Sequence, residues 1–214
     1  MARLRIGVLI SGRGSNLQAL IDAAGPDYPA EIAVVVSNKP DAPGLAHAEA
    51  AGIATHVVDQ VDFPDRAAFE AALDATLRAA DVELVCLAGF MRLLGDAFVN
   101  AWHDRLINIH PSLLPAFKGL DAQAQALAAG VRLSGCTVHF VRPQMDSGPI
   151  IVQAAVPVAQ DDDVDSLAAR ILAAEHRLYP LAVRWIAEGR VTVHDARVSI
   201  AGLAMPAEWP NTPL

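Results

Sequence analysis

Short apolar runs alternate with stretches of helical periodicity along roughly the first 130 residues. Runs of strand length lie at Leu4–Ile10, Glu31–Val36, Thr55–Val58, Glu83–Ala88 and Ile107–His110. Between them the pattern predicts helices after the first run, over Gly44–Ala51, behind an Asp65 N-cap with a Phe69, Leu73 and Leu77 stripe, and over Asp121–Ala129. Continuous apolar strands joined by helices indicate a Rossmann-like, doubly wound α/β sheet that is mostly parallel.

The carboxyl-terminal part of the chain has a different pattern. Two strand-like runs, Ser134–Val141 and Ile150–Val158, are separated by a short loop, which predicts an antiparallel hairpin at one edge of the sheet. A long helix over Asp165–Glu188 follows, and then a small hairpin from Thr192 and a proline-rich end. We therefore predict one α/β domain over residues 1–214, with an antiparallel C-terminal extension.

Composition narrows the classes of function. The 214 residues are 53% hydrophobic and carry a formal net charge of −8, which argues against a nucleic-acid or anionic-membrane surface. The first ten residues are too short for a signal peptide or a membrane span. Cys86 and Cys136 lie in apolar runs far apart and are expected to be buried and reduced, as in a cytoplasmic protein. No metal-binding, nucleophile-elbow or Cys-x-x-Cys motif is present, so metal and covalent catalysis are disfavoured.

A glycine-rich segment, Ser11–Asn16, follows the first predicted strand and opens the first predicted helix. In that position free backbone N–H groups and the helix dipole face an anion. The segment matches neither Gly-x-Gly-x-x-Gly nor a Walker sequence, which favours a phosphate site without nucleotide triphosphate chemistry. An ordinary tight turn is the alternative.

Asn108 and His110 form the strongest candidate for chemistry. They are two residues apart on a predicted strand, so both side chains project from one face at its carboxyl end, where open α/β sheets bind ligands. Pro111 keeps His110 extended. Asp146 is the one carboxylate in the loop between the two hairpin strands. The alternatives are a turn histidine and a turn-forming aspartate.

Two further segments have both structural and functional interpretations. Arg66 stands in the first turn of a helix, where an arginine is more often a solvated helix residue, but it would suit a carboxylated ligand. Gly89 permits a sharp turn after the fourth strand, and the apolar residues after it either wall a pocket for a flat ring or pack in the core.

Over nearly its whole length the sequence resembles the folate-dependent glycinamide ribonucleotide formyltransferase family. The resemblance rests on Val8–Gln18, Leu87–Arg92, Asn108–Pro115 and Glu175-His176. It implies formyl transfer from 10-formyltetrahydrofolate to the amine of 5-phosphoribosylglycinamide, a step of de novo purine synthesis, in a cytoplasmic enzyme that needs no metal. A tetrahedral intermediate stabilised by Asn108 and a charged His110, with Asp146 completing a catalytic triad, agrees with that chemistry.

The resemblance also assigns binding roles. It implies a phosphate-binding half at 1–100 and a catalytic, folate-binding half at 101–214. Gly14, Ser15 and Asn16 would hold the substrate phosphate, and Glu175 the ribose hydroxyls. The folate would be bound at its glutamate tail by Arg66, at its pterin by Met91, Arg92, Leu93 and Leu94, and under a loop of Arg142, Pro143, Gln144, Met145 and Asp146, with Asn108 beside it.

The sequence departs from the family pattern where Asp121, Ala122 and Gln123 replace a usual His-Thr-His, which concerns substrate affinity more than chemistry. The rival functions are hydrolysis of formyltetrahydrofolate, formyl transfer to another amine such as an amino sugar, and a non-catalytic folate or phosphosugar sensor. The expected partners are small molecules only, and the chain is expected to be a monomer or a homodimer.

Overall fold

The computed structural model describes residues 2–203, which form one large mixed sheet with helices on both faces and a separate small hairpin. The strands of the large sheet are β1 (Leu4–Ile10), β2 (Ala30–Ser37), β3 (Thr55–Val57), β4 (Leu84–Leu87), β5 (Leu106–His110), β6 (Leu133–Phe140) and β7 (Ile150–Pro157). The helices are α1 (Ser15–Ala23), α2 (Gly44–Ala50), α3 (Arg66–Ala79), α4 (Asp96–Ala101), α5 (Ala122–Ala128) and α6 (Val164–Ala187).

The strand order is β3-β2-β1-β4-β5-β6-β7. Strands β1 to β5 pair in parallel, while β6 is antiparallel to both β5 and β7. The predicted Rossmann-like sheet with an antiparallel extension is therefore confirmed. The small hairpin of β8 (Val191–His194) and β9 (Arg197–Ile200) is also confirmed, whereas the expected proline-rich end lies outside the described residues.

The buried strands divide the core into two layers. Val8 and Leu9 are adjacent in β1 and both completely buried, because successive side chains enter opposite faces of a covered sheet. Val8 packs in the layer under α1 and α6, and Leu9 in the layer under α3 and α4. This double cover explains the continuous apolar runs of the parallel strands.

Two helix starts follow local hydrogen-bonding rules. The Asp65 carboxylate accepts from Ala68 N at 2.8 Å, which confirms it as the N-cap of α3. Asp163 and Ser166 form a reciprocal capping box at the start of α6. The pattern did not define α4, because six residues are too few to establish a periodicity; a 3₁₀ turn at Gln60–Asp62 was missed for the same reason.

Helix α6 is fixed to the centre of the sheet by a buried tyrosine. The Tyr179 hydroxyl donates to Leu87 O at the end of β4 at 2.9 Å and lies 3.4 Å from Ile107 O in β5. A buried hydroxyl needs such partners, so this contact fixes α6 against the two strands that lead into the candidate site. No helix among residues 2–203 is long and apolar enough to cross a lipid bilayer.

Candidate active site

The candidate site lies at the carboxyl ends of β1, β4 and β5. The strand order reverses direction between β1 and β4, and open α/β sheets bind ligands at such a switch point. The segments that leave these strands are Ser11–Asn16 after β1, Gly89–Leu94 after β4, and Asn108 and His110 at the end of β5. The β6–β7 loop brings Asp146 to the same edge.

The structure brings His110 and Asp146 together. His110 Nδ1 lies 3.5 Å from Asp146 Oδ2, and the two side chains are only 6% and 11% exposed. The other ring nitrogen, Nε2, lies 2.9 Å from Phe117 O, a group that can only accept a hydrogen bond. The ring therefore has a backbone carbonyl next to one nitrogen and a carboxylate near the other, an arrangement that would complement a positively charged imidazole.

The loop after β5 supports this pair with backbone groups. Gly119 N donates to Asp146 Oδ2 at 2.8 Å, while Phe117 supplies the carbonyl that His110 contacts. Asp146 itself has a positive φ of 49°, an uncommon backbone conformation for a residue other than glycine. Gln125 on α5 donates to Leu120 O at 2.8 Å and so helps to hold the loop in place.

Asn108 faces a histidine that the sequence did not single out. In the antiparallel register Asn108 stands opposite His139, and Asn108 Nδ2 lies 3.3 Å from His139 Nε2. His139 Nδ1 is 3.0 Å from Phe140 O, so Nδ1 carries the hydrogen and Nε2 presents a lone pair to the amide. The second Asn108 amide hydrogen has no protein partner within residues 2–203.

Burial keeps His139 neutral. Desolvation is the largest cause that lowers the pKa of His139; the charges of His110 and Lys118 act in the same direction, while Phe140 O and Asp146 oppose them. A neutral ring can accept from Asn108, whereas a protonated one would compete for Asp146, whose Oδ1 is 3.8 Å away. Asp146 therefore lies near two histidines: His139, which is neutral, and His110, whose positive charge the carboxylate would stabilise.

The glycine-rich segment is shaped by close contact with α2. Gly14 has a φ of 74°, and a methyl group there would lie 2.6 Å from Gly44 Cα, so only glycine fits. Ser15 begins α1 directly afterwards, so its backbone N–H is one of the free donors at that end. The geometry is that of an anion site at a helix amino terminus.

Asn16 and Glu175 form a buried pair between α1 and α6. Asn16 Nδ2 donates to Glu175 Oε2 at 2.7 Å, which leaves the Asn16 backbone, rather than its amide, to face an anion. Burial raises the pKa of the Glu175 carboxyl, and the hydrogen bond from Asn16 partly offsets that effect. A cavity of about 420 Å³ is lined by Ser15, Gln18, Ala19, Asp22, His47 and His176, of which Ser15 and His176 are sequence neighbours of this pair.

The residues assigned to the folate occupy different environments. Arg66, Met91 and Leu93 are 60%, 62% and 69% exposed, whereas Leu94 packs against the core layer under α3. Arg92, Pro143, Gln144 and Met145 are also exposed on the loops that surround the site. Apolar side chains left exposed at a ligand-binding edge fit a flat aromatic ligand.

Arg142 has a protein partner of its own. Its Nη2 donates to Asp104 Oδ1 at 2.5 Å and its Nη1 to Val141 O at 3.1 Å. The guanidinium therefore attaches the start of the β6–β7 loop to the turn before β5. This leaves the Arg142 backbone and aliphatic stem as the parts of the residue that remain for a ligand.

Comparison with known proteins identifies the relatives of this chain. Residues 4–183 match the formyl transferase family (Formyl_trans_N). The chain is 44% identical over 206 residues to phosphoribosylglycinamide formyltransferase of Escherichia coli, covering 96% of this chain and 97% of that protein. It is 50% identical over 195 residues to the trifunctional purine biosynthetic protein adenosine-3 of Gallus gallus, covering 91% of this chain but only 19% of that protein.

Solved structures agree on the fold. The crystal structure of glycinamide ribonucleotide transformylase 1 from Symbiobacterium toebii superposes with a TM-score of 0.91 at 53% sequence identity, covering 92% of this chain and 94% of the other. A match of this extent includes both the parallel part of the sheet and its antiparallel extension.

Proposed function

Because the chain belongs to the formyl transferase family of enzymes, we propose that it transfers the formyl group of 10-formyltetrahydrofolate to the amine of 5-phosphoribosylglycinamide. The products are formylglycinamide ribonucleotide and tetrahydrofolate, in de novo purine biosynthesis. The observation that carries this proposal is the meeting of Asn108, His110 and Asp146 at the sheet edge, where His110 Nδ1 and Asp146 Oδ2 are 3.5 Å apart.

The reaction begins with attack of the substrate amine on the formyl carbon. A C–N bond forms, and the formyl oxygen gains negative charge in a tetrahedral intermediate. The unpartnered Asn108 amide hydrogen stabilises that oxygen, and one preorganised donor of this kind is commonly worth about 3 kcal/mol. His139 holds the amide in orientation by accepting its other hydrogen at 3.3 Å.

His110 supplies positive charge beside the developing oxyanion. The Asp146 carboxylate stabilises the imidazolium. Its contact with one ring nitrogen, and that of Phe117 O with the other, fix the orientation of the ring. Both side chains are largely buried, and electrostatic interactions are stronger there than in bulk solvent.

Collapse of the intermediate requires a proton transfer. The attacking nitrogen loses a proton, the bond between the formyl carbon and N10 of the folate breaks, and N10 gains the proton. His110 and Asp146 are the titratable groups placed to relay it through a water molecule. The mechanism involves neither a covalent enzyme intermediate nor a metal ion.

The two substrates bind to different segments at the carboxyl edge of the sheet. The backbone of Gly14, Ser15 and Asn16 holds the phosphate at the start of α1, and the Glu175 carboxylate accepts from the ribose hydroxyls. The pterin lies between the loop Met91–Leu94 and the loop that carries Asp146. Arg66 meets the glutamate tail at the surface, where its side chain is 60% exposed.

The assay that tests this proposal follows tetrahydrofolate release from 10-formyltetrahydrofolate with and without 5-phosphoribosylglycinamide. Amine-dependent release is expected. Release at the same rate without the amine would instead identify a hydrolase. Release that requires an amino sugar would identify a different transferase, and absence of release with intact folate binding would indicate a sensor.

The catalytic role is tested by His110→Ala. Loss of the imidazolium is expected to reduce kcat by about a thousandfold while the dissociation constants of both substrates change little. Exposed His56 on β3 provides the control, because His56→Ala leaves the site intact. Unchanged turnover in His110→Ala would remove His110 from the mechanism.

A further inference from the structure

Glu70 on α3 is a buried acid outside the candidate active site. It is only 7% exposed, although a carboxylate is rarely buried without a specific partner. On the sequence it looks like an ordinary helix residue one turn after Arg66. Its burial therefore requires an explanation from its contacts.

Glu70 joins two segments. Its Oε1 accepts from Gly95 N at 2.6 Å, a short charge-assisted hydrogen bond, and lies 3.7 Å from Arg66 Nε. Gly95 is closely enclosed by the same two side chains. A methyl group at that position would lie 2.9 Å from Glu70 Oε2 and 3.3 Å from Arg66 Nη2.

Gly95 ends the Gly89–Leu94 loop, which is held at both ends but exposed in the middle. Near its start, Met91 N donates to the buried Ser11 hydroxyl at 2.8 Å. At its end, Glu70 holds Gly95 N, and between them Leu93 is 69% exposed. A loop fixed in this way keeps its shape before a ligand arrives, which reduces the entropy lost on binding.

We propose that Glu70 is a positioning residue for the folate, because one carboxylate forms an ion pair with Arg66 and a short hydrogen bond to the end of the loop that borders the pterin. The inference rests on the proposed function for the identity of the ligand. The contacts among Glu70, Gly95 and Arg66 are independent of that function. Glu70 contacts neither the candidate catalytic residues nor the substrate phosphate segment, so its effect is specific to the folate.

Two substitutions separate the hydrogen bond from general effects of burial. Glu70→Ala removes the acceptor of Gly95 N, and the Michaelis constant for 10-formyltetrahydrofolate is expected to rise about tenfold. The Michaelis constant for the amine substrate should change less than about twofold, since that substrate binds at α1 and α6. Glu70→Gln keeps an oxygen at the acceptor position and should recover most of the loss.

A third variant changes Gly95, the donor residue of the hydrogen bond to Glu70. Gly95→Ala keeps an ordinary backbone conformation, because φ at Gly95 is −76°, but its methyl group displaces the Glu70 carboxylate. It should produce the same folate-specific increase. Glu49→Ala on α2, at an exposed position, is the matched control and should behave as wild type.

Amide hydrogen exchange in the ligand-free protein provides the readout that does not depend on activity. Exchange at Gly95 and over 89–95 should accelerate in Glu70→Ala and stay near the wild-type rate in Glu70→Gln. Unchanged exchange and folate constants in Glu70→Ala would overturn the proposal, as would equal damage by Glu70→Gln. If wild type does not use 10-formyltetrahydrofolate, the proposed function fails, while the exchange data still decide the role of Glu70 at the loop.

Discussion

Replacement of Asp146 by Asn removes the negative charge next to His110 and keeps the shape of the side chain. The asparagine oxygen can still accept from Gly119 N, so the loop after β5 should retain its conformation. What disappears is the attraction between the carboxylate and the imidazolium, whose closest atoms are 3.5 Å apart.

The size of that attraction follows from Coulomb's law. Two unit charges separated by 3.5 Å attract by about 5 kcal/mol at an effective dielectric constant near 20, and by about 1 kcal/mol in bulk water. Burial brings the pair close to the upper figure, and the cost of desolvating both groups offsets part of it, which leaves about 3 kcal/mol. Because each 1.4 kcal/mol is roughly a factor of ten, we expect kcat of Asp146→Asn to fall by about a hundredfold.

The measurement is steady-state tetrahydrofolate release with both substrates saturating, so that kcat is separated from binding. Asp121→Asn is the matched control, since Asp121 is an exposed carboxylate on the same side of the molecule and is expected to retain wild-type kcat. An Asp146→Asn enzyme with at least a third of wild-type kcat would refute the electrostatic role assigned to Asp146.

Two other substitutions test the buried polar pairs. His139→Phe removes the acceptor for the Asn108 amide, 3.3 Å away, and should lower kcat about tenfold with little change in either Michaelis constant, whereas His56→Phe at an exposed position should not. Glu175→Gln should raise the Michaelis constant of the amine substrate about tenfold. Burial raises the pKa of Glu175 in the folded state, so the native protein holds the proton more tightly than the unfolded chain and loses stability as the pH rises above the ordinary carboxyl range. Thermal unfolding should therefore show Glu175→Gln gaining stability relative to wild type between acidic and neutral pH; a constant difference would contradict this account.

The sequence predicted the sheet well because its strands are buried on both faces. β1 reads as a continuous apolar run, and its predicted bounds, Leu4–Ile10, agree with the structure. The antiparallel strands were also located to within a residue. Short elements such as α4 were not defined, since a helix of six residues contains less than two full turns of pattern.

The candidate site was only partly accessible from the sequence. Asn108 and His110 could be placed on one face because the period of a strand is two. His139 was part of an alternating run, but its position opposite Asn108 depends on the register between β5 and β6, which no local pattern specifies. The carbonyl of Phe117 and the amide of Gly119 are backbone groups, so the identity of the residue gives no signal for them.

Long-range pairing explains the remaining differences. The assignment of Arg142 to the folate, made from family resemblance, stays a prediction, and no local pattern indicated that its guanidinium pairs with a distant residue, Asp104. Glu70 went unnoticed because burial of one carboxylate depends on a glycine 25 positions later in the chain. Such contacts arise from tertiary packing and become visible only in three dimensions.

The Tyr179 contact has a consequence for the choice of acceptor molecule. Glu175 precedes Tyr179 by about one helical turn on α6, and the Tyr179 hydroxyl touches the peptide just before Asn108. The separation between the Glu175 carboxylate, proposed to bind the ribose, and the Asn108 amide, proposed to stabilise the oxyanion, is therefore set by rigid elements. An amine joined to its sugar by a longer or shorter chain would not reach the formyl carbon. The enzyme would therefore select its acceptor by length as well as by charge.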